Sequence, residues 1–205
     1  MIIDNSHNLK IDLNSKSAGG TTAFNYACLA GHSKIVEMIM NNSSNLEIDL
    51  STRDNSHNTA FHVACQRGHL EVTELMLKNS SWLQMDWDGK NSMRKTAFQL
   101  ACCKGHVKIA EMIMNKSAEL KIDLNTNSGP DGYTAFHLAC MGGDSEIERS
   151  NCTRIVEMLI DQSEYHKIDI TTKTNRGLNG YQIAKRCKNT GVINLIKAKR
   201  PCLLV

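Results

Sequence analysis

The sequence contains no apolar stretch approaching the roughly 18 residues of a membrane-spanning helix. Its first residues, MIIDNSHNLK, lack the basic start and apolar run of a secretory signal. A Walker loop and the G-x-G-x-x-G, G-x-S-x-G and H-E-x-x-H motifs are also missing. We therefore expect an intracellular protein, cytoplasmic or nuclear, that is not an enzyme, has no cofactor and takes no small-molecule substrate.

Acidic residues are absent from positions 170–205, which hold eight Lys or Arg, whereas the chain as a whole has a net charge of +3. A basic end can attract nucleic acid, anionic lipid or an acidic partner, or it can be a solvated terminal face. We favour the solvated face, and we expect neither nucleic acid nor a membrane to be the partner.

One heptapeptide recurs along the chain at nearly constant spacing. It reads TAFNYAC from Thr22, TAFHVAC from Thr59, TAFQLAC from Thr96 and TAFHLAC from Thr134, at intervals of 37, 37 and 38 residues, with a degenerate NGYQIAK from Asn179. A fixed period of this length predicts a stacked array of repeats.

Each repeat has the same internal plan. Thr is a good helix N-cap, the residues after it form an apolar helical face, and a glycine such as Gly31 stops the helix. A second amphipathic segment follows, for example SKIVEMIM from Ser33, and then a short alternating run such as IDL from Ile48. The alternation indicates an extended arm whose apolar residues turn inward.

The pattern T-A-F-H-L-A-C-x-x-G-H…I-V-E-M-L-I resembles the ankyrin repeat over roughly residues 9–198. The resemblance implies an all-α solenoid of stacked antiparallel helix pairs with projecting β-hairpin-like arms, acting as a non-catalytic module that binds an unidentified protein. The single domain 1–205 divides into a partial N-terminal repeat (1–21), four repeats (22–58, 59–95, 96–133, 134–178), a C-terminal capping repeat (179–198) and a tail (199–205).

Reactive residue types recur at scaffold positions. His62 and His137 match the family histidine that bridges neighbouring turns, and Asn or Gln replaces it in other copies, so we do not expect a metal site. The four heptapeptide cysteines should remain reduced, because neighbouring helices pack too far apart for disulfides. The repeated aspartates, such as Asp49, are expected to accept hydrogen bonds in the arms.

The family's concave binding surface is formed by the turn tips and the residues after the Cys slot. Carried over position by position, the partner-binding residues are Asn55, Ser56, Asn58, Gln66, Arg67, Ser92, Met93, Lys95, Cys103, Lys104, Asp131, Tyr133 and Met141. His57 and Arg94 stand where the family turn has glycine, and we expect those turns to be distorted because φ > 0 is unfavourable for either residue.

Other candidate features lie outside that common pattern. Trp87 aligns with core positions, whereas Trp82 aligns with polar ones and is either an exposed partner-binding residue or a side chain lying flat on its own repeat. The extra residues Asp144–Asn151 either lengthen a second helix by two turns or form a bump, and either carry binding or are a neutral length variant.

The two ends carry further hypotheses. Residues 1–13 align with the end of a second helix, so the first full repeat is expected to expose an apolar face. Either the chain is cut from a longer array, or something covers that face, such as another copy by self-association. The C-terminal CLLV resembles a prenylation box in which Cys202 would be lipidated, although valine is outside the usual terminal set. A membrane-peripheral adaptor that uses the basic C-terminus and Cys202 is therefore the alternative function.

Overall fold

A computed structural model describes residues 12–204 of the chain. Within these residues the chain forms ten α-helices, no β-strand, and one 3-10 helix, Pro201–Leu204. The helices are α1 (Ala23–Ala30), α2 (Ser33–Asn42), α3 (Ala60–Arg67), α4 (Leu70–Lys78), α5 (Ala97–Cys103), α6 (Val107–Leu120), α7 (Ala135–Met141), α8 (Glu146–Asp161), α9 (Gly180–Arg186) and α10 (Thr190–Lys199). None of the described helices is long and apolar enough to cross a membrane.

The helices form five consecutive pairs arranged in two layers. Each odd-numbered helix, here called a first helix, packs against the first helices of the neighbouring pairs, and the second helices pack in the same way. The segment between a second helix and the next first helix is called an arm. The expected all-α solenoid of antiparallel helix pairs is confirmed.

Capping residues define where the first helices begin. The Thr96 hydroxyl accepts a hydrogen bond from the Gln99 backbone N–H, and Thr22, Thr59 and Thr134 cap their helices in the same way. Asn179 replaces threonine at the start of α9. At the other end, Gly31 and Gly68 adopt the left-handed C-cap conformation. Each first helix is thus limited to about two turns.

A continuous hydrophobic core runs between the two layers. Four equivalent phenylalanines of α1, α3, α5 and α7 are almost completely buried, as are the four heptapeptide cysteines; they are Phe24, Phe61, Phe98, Phe136, Cys28, Cys65, Cys102 and Cys140. Every described cysteine is a free thiol, as expected for the four heptapeptide positions. Burial raises the pKa of the Cys28, Cys65, Cys102 and Cys140 thiols well above the ordinary value, so they act as small apolar side chains.

The arms bury their alternating apolar residues. Ile48 and Leu50 face the core, and Trp87 does so in the next arm, where its ring meets Phe61 edge to face with centroids 4.9 Å apart. Asp49 lies between Ile48 and Leu50 and accepts hydrogen bonds. Its Oδ1 accepts from both the backbone N–H and the hydroxyl of Ser51, at 2.8 and 2.6 Å. Within the described residues the arms have the shape of hairpins but contain no β-strand.

The tips of the arms are five closed turns, 17–21, 54–58, 91–95, 128–133 and 174–178. His57 and Arg94 both have φ of 58°, in the left-handed region. The expected distortion is not found, since their turns close with the same backbone hydrogen bonds as the turn containing Gly177. Without a glycine, each of the two tips instead bears a backbone strain of about 1 kcal/mol.

The extra residues Asp144–Asn151 lengthen the second helix. The helix α8 has 16 residues, against 10 in α2, and a capping box between Ser145 and Glu148 sets its start. Its N-terminal turns lie over Gly105, where an added Cβ would be 2.9 Å from Asn151 Cβ and 3.0 Å from the Glu148 carbonyl oxygen. The first of the two structural alternatives is therefore correct.

Asparagine side chains connect successive arms through two hydrogen bonds. Asn125 Oδ1 accepts from the Asp169 N–H at 2.8 Å, and Asn125 Nδ2 donates to the Lys167 carbonyl at 2.9 Å. Asn14 makes the equivalent pair with the next arm. Asp88, which is half-buried, occupies the same position in the central arm, but its buried Oδ1 atom has no hydrogen-bond partner in the described part of the chain. A carboxylate cannot donate the second bond.

Replacing Asp88 with asparagine is therefore expected to raise the free energy of unfolding at pH 7 by about 1 kcal/mol, the usual net contribution of one hydrogen bond. Burial raises the pKa of Asp88 above its ordinary value, and Asp123 and Asp86 add to that effect. Protonation of Asp88 is thus easier in the folded protein than in the unfolded chain, and the destabilisation by the carboxylate is lost as pH falls toward about 4. The gain measured by urea unfolding should shrink accordingly between pH 7 and pH 4.

The matched control is Asp54→Asn. Asp54 Oδ1 accepts two backbone N–H groups in its tip, and Asn91 accepts two in the equivalent tip, so an amide oxygen should serve equally well there. The amide would lose only the bond that Asn58 Nδ2 donates to Asp54 Oδ2, so we expect no gain in stability and a loss of at most about 1 kcal/mol. A loss of stability in Asp88→Asn at pH 7 would contradict the assignment.

Candidate functional site

Backbone hydrogen bonds join the first tip to the second, the second to the third and the fourth to the fifth. The Ser92 N–H donates to the Ser56 carbonyl at 2.9 Å, and the Asn55 N–H donates to the Gly19 carbonyl at 3.0 Å. Asn91 Nδ2 also donates to Asn58 Oδ1 at 2.9 Å. The tips are thus fixed relative to one another, which pre-organises any side chain that they present.

The predicted tip residues divide into exposed and half-buried ones. Asn55, Ser56, Ser92 and Met93 are exposed, and Met93 has 52% of its surface accessible. The predicted positions Asn58, Lys95, Asp131 and Tyr133 are half-buried. The first group can contact a partner directly, whereas Asn58 also holds its tip against the next one.

The fourth tip is connected to the fifth through both side-chain and backbone contacts of Asp131. The Asp131 carboxylate forms an ion pair with Arg176 at 2.7 Å, and the Asp131 carbonyl accepts the Asn175 N–H at 2.8 Å. Tyr133 packs edge to face against His137 with ring centroids 6.2 Å apart. These two predicted residues therefore belong partly to the framework of the surface.

The predicted residues after the Cys slot lie at the C-terminal ends of the first helices, which stack side by side. Arg67 and Met141 are exposed, while Gln66, Cys103 and Lys104 are half-buried. Lys104 Nζ lies 3.0 Å from Asp144 Oδ2, at the start of the inserted residues. Together with tips 54–58, 91–95 and 128–133, the ends of α3, α5 and α7 form one surface, called here the tip face.

Trp82 does not belong to the tip face. It lies beyond the end of α4, with 44% of its surface exposed and its indole N–H donating to Asn79 Oδ1 at 3.1 Å. It lines a groove of about 290 Å³ between two consecutive arms, together with Ser43, Ile48 and Gln84. The structure thus shows both features considered for this residue: it is exposed, and it is hydrogen-bonded within its own repeat.

Three exposed residues were not among the sequence-predicted site residues. Tyr165 has 84% of its surface exposed and lines a second inter-arm groove at the position equivalent to Trp82. Tyr26 is exposed on α1, whereas Val63, at the equivalent position of α3, is buried. Arg94 is an exposed cation at the tip 91–95. The sequence feature that could have identified Arg94 is its place at a turn position that favours glycine.

The histidines of the first helices act in the scaffold. The Thr59 N–H donates to His62 Nδ1 at 3.3 Å, and His62 Nε2 lies 2.8 Å from the Gly89 carbonyl oxygen. Gln99 makes the equivalent connections to Thr96 and to the Thr126 carbonyl. The predicted bridging role is confirmed for His62. The His137 side chain hydrogen-bonds only to Thr134, because its buried Nε2 has no hydrogen-bond partner in the described part of the chain. Within residues 12–204, no group of three His, Cys, Asp or Glu side chains could hold a metal ion.

The two ends bear on the remaining hypotheses. Residues 1–11, which contain most of the partial N-terminal repeat, lie outside the described residues; in the first described pair, Tyr26 and Ile35 are exposed. At the C-terminus Cys202 is exposed, but Leu203 is buried and its carbonyl accepts a hydrogen bond from Asn179 Nδ2 at 3.0 Å. Lipidation of Cys202 would require an enzyme to extract this folded segment.

Comparison with known proteins agrees with the helix-pair architecture. The family model described as ankyrin repeats (3 copies) matches the chain three times, over residues 2–86, 44–128 and 81–174. No curated protein matches the chain. The matched ranges together extend from residue 2 to residue 174 and include the helices and tips of the tip face.

Proposed function

The chain belongs to the ankyrin-repeat family, and we propose that it binds a protein partner on the tip face as a scaffold, adaptor or inhibitor. Ankyrin repeats are in general protein–protein interaction modules. The observation that supports this particular surface is the hydrogen-bonded row of tips, which presents Asn55, Ser56, Ser92 and Met93 to solvent.

The mechanism of binding is rigid presentation. Because tips 54–58 and 91–95 are joined through their backbones and the first helices are packed side by side, little conformational entropy is lost when a partner docks. Methionine adapts its shape to a partner, and the amide and guanidinium groups of Asn55 and Arg67 supply hydrogen bonds. No bond is made or broken in this activity.

A quantitative pull-down from lysate of the source cells tests the proposal with three baits. They are the wild type, a tip-face variant (Arg67→Ala, Met93→Ala, Met141→Ala) and the single variant Trp82→Ala, each checked by circular dichroism. All four side chains are exposed, so each bait should fold. We expect at least one protein to be captured by wild type and Trp82→Ala and lost from the tip-face variant.

The other outcomes are equally clear. Equal capture by the tip-face variant would move the site away from the tip face, and loss only from Trp82→Ala would place it in the inter-arm groove. Capture of nothing by any bait would contradict the proposed function.

A further inference from the structure

The two layers of the solenoid differ in charge. The five first helices contain Arg67, Lys185 and Arg186 but no Asp or Glu, and Lys104 directly follows α5. The second helices carry acidic and basic residues in nearly equal numbers. The layer that contributes to the tip face is therefore basic, although the net charge of the whole chain is only +3.

Four cations of this layer lie around the third helix pair and are called here the basic cluster: Arg67, Arg94, Lys95 and Lys104. Among residues 12–204, the only ion pair that any of them makes joins Lys104 to Asp144, whose side chain is 90% exposed. The nearest acid on the neighbouring tip, Asp54, uses its carboxylate to hold backbone N–H groups. Arg67, Arg94 and Lys95 thus have no ion-pair partner in the described part of the chain.

The geometry of the basic cluster matches a short peptide. Lys95 and Lys104 lie at opposite ends of α5, nine residues or about 13 Å apart along the helix. Arg67 and Lys104 occupy equivalent positions on adjacent helices, which pack about 8–10 Å apart. Exposed Met93 and half-buried Cys103 lie within the same area. An extended segment of about four to six residues would cross it.

Arg94 contributes an exposed cation at a position that favours glycine. Its φ of 58° is strained for arginine and would be relaxed in glycine, and the equivalent tip residue at position 177 is glycine. His57 has the same φ at the equivalent position of its tip, so the conformation alone does not mark a function. Because the Arg94 side chain is exposed, its cation adds to the charge that Lys95 places on the same tip.

We infer that the tip face binds an acidic protein segment, in which two or more Asp or Glu side chains meet the basic cluster and an apolar side chain packs on Met93. This inference rests on the proposed function and specifies its partner class. The apolar side chains favour a peptide over nucleic acid, because binding of single strands relies on exposed aromatic rings and Tyr133 of the tip face is half-buried.

The test is a selection of binders from a displayed library of random 12-residue peptides. We expect peptides selected on wild type to be enriched in Asp and Glu. The enrichment should disappear on Arg67→Glu/Lys95→Glu and persist on the control Lys78→Glu/Lys108→Glu, which changes the net charge equally but on exposed second-helix positions. The best peptide should bind wild type about tenfold more tightly than its Asn/Gln counterpart in fluorescence anisotropy, and less so at high salt.

A third variant, Arg94→Gly, separates binding from folding. It should raise the thermal midpoint, because it relieves the left-handed strain, and it should still weaken the best acidic peptide several-fold. Unchanged peptide affinity in Arg94→Gly together with Arg67→Glu/Lys95→Glu would overturn the inference.

The remaining outcomes distinguish the inference from the function on which it rests. Selected peptides without acidic enrichment would overturn the inference and leave the interaction function intact. A single-stranded 20-nucleotide DNA probe that binds more tightly than any selected peptide, and is lost with the charge reversal, would replace the peptide with nucleic acid. Absence of any enriched peptide would contradict both.

Discussion

Replacing Phe98 with alanine is expected to lower the free energy of unfolding by about 3–5 kcal/mol, the usual cost of removing a buried aromatic ring. Phe98 is 2% exposed and belongs to α5, which packs against α3 on one side and α7 on the other. The substitution therefore leaves a cavity between central helix pairs. Urea unfolding followed by circular dichroism measures the change.

The control for this prediction is Met93→Ala in the tip that precedes α5. Because Met93 is 52% exposed, its truncation should change the free energy of unfolding by no more than about 0.5 kcal/mol. If the transition of Phe98→Ala splits in two, the central interfaces have lost their coupling, as a stack with only nearest-neighbour contacts allows. A loss below 1 kcal/mol would be inconsistent with the buried position.

Replacing His62 with alanine should cost about 2–4 kcal/mol, because it leaves the buried Thr59 N–H and the Gly89 carbonyl without their partner. His62→Gln should cost less than about 1 kcal/mol, since Gln99 already makes the equivalent bonds one repeat later. The difference between the two variants isolates the bridging bonds from the general effect of substitution.

The acid sensitivity of His62 gives a second measurement on the same pair. The carbonyl of Gly89 can only accept, so Nε2 carries the proton and Nδ1 must remain an acceptor for Thr59. Burial lowers the pKa of His62, so its stabilising contribution is present above about pH 6.5 and is lost as pH falls, when the unfolded chain takes up the proton. His62→Gln should therefore gain on wild type between pH 7.5 and pH 5. A constant difference between the two proteins across that range would contradict this account.

Most of the scaffold could be predicted from the sequence because residues with the same structural role recur in several repeats. The threonine caps, the buried phenylalanines and the reduced cysteines each recur in register, so one pattern defines four sites. Trp87 could be placed in the core by alignment alone. Comparing the repeats with one another thus identifies the structural positions that an alignment of homologues would otherwise identify.

The features that the sequence could not predict depend on contacts between different repeats of the chain. The alignment of the repeats correctly predicted an unfavourable φ at His57 and Arg94, but the predicted distortion of their turns was wrong. The sequence did not show that the hydrogen bonds of each turn would outweigh the energetic cost of the left-handed backbone conformation. The separation of Trp82 from the tip face depends on where the following arm lies. The ion pair between Lys104 and Asp144 depends on the direction of the inserted residues.

The extension of α8 over Gly105 has a consequence for how such an array can change by recombination. At Gly68 the close neighbour is the His106 side chain, which can rotate, whereas at Gly105 it includes the backbone carbonyl of Glu148, which cannot. Duplication or exchange of most helix pairs would preserve their junctions. A pair that precedes α8 must therefore carry glycine at the position of Gly105, as the first and second pairs do at Gly31 and Gly68.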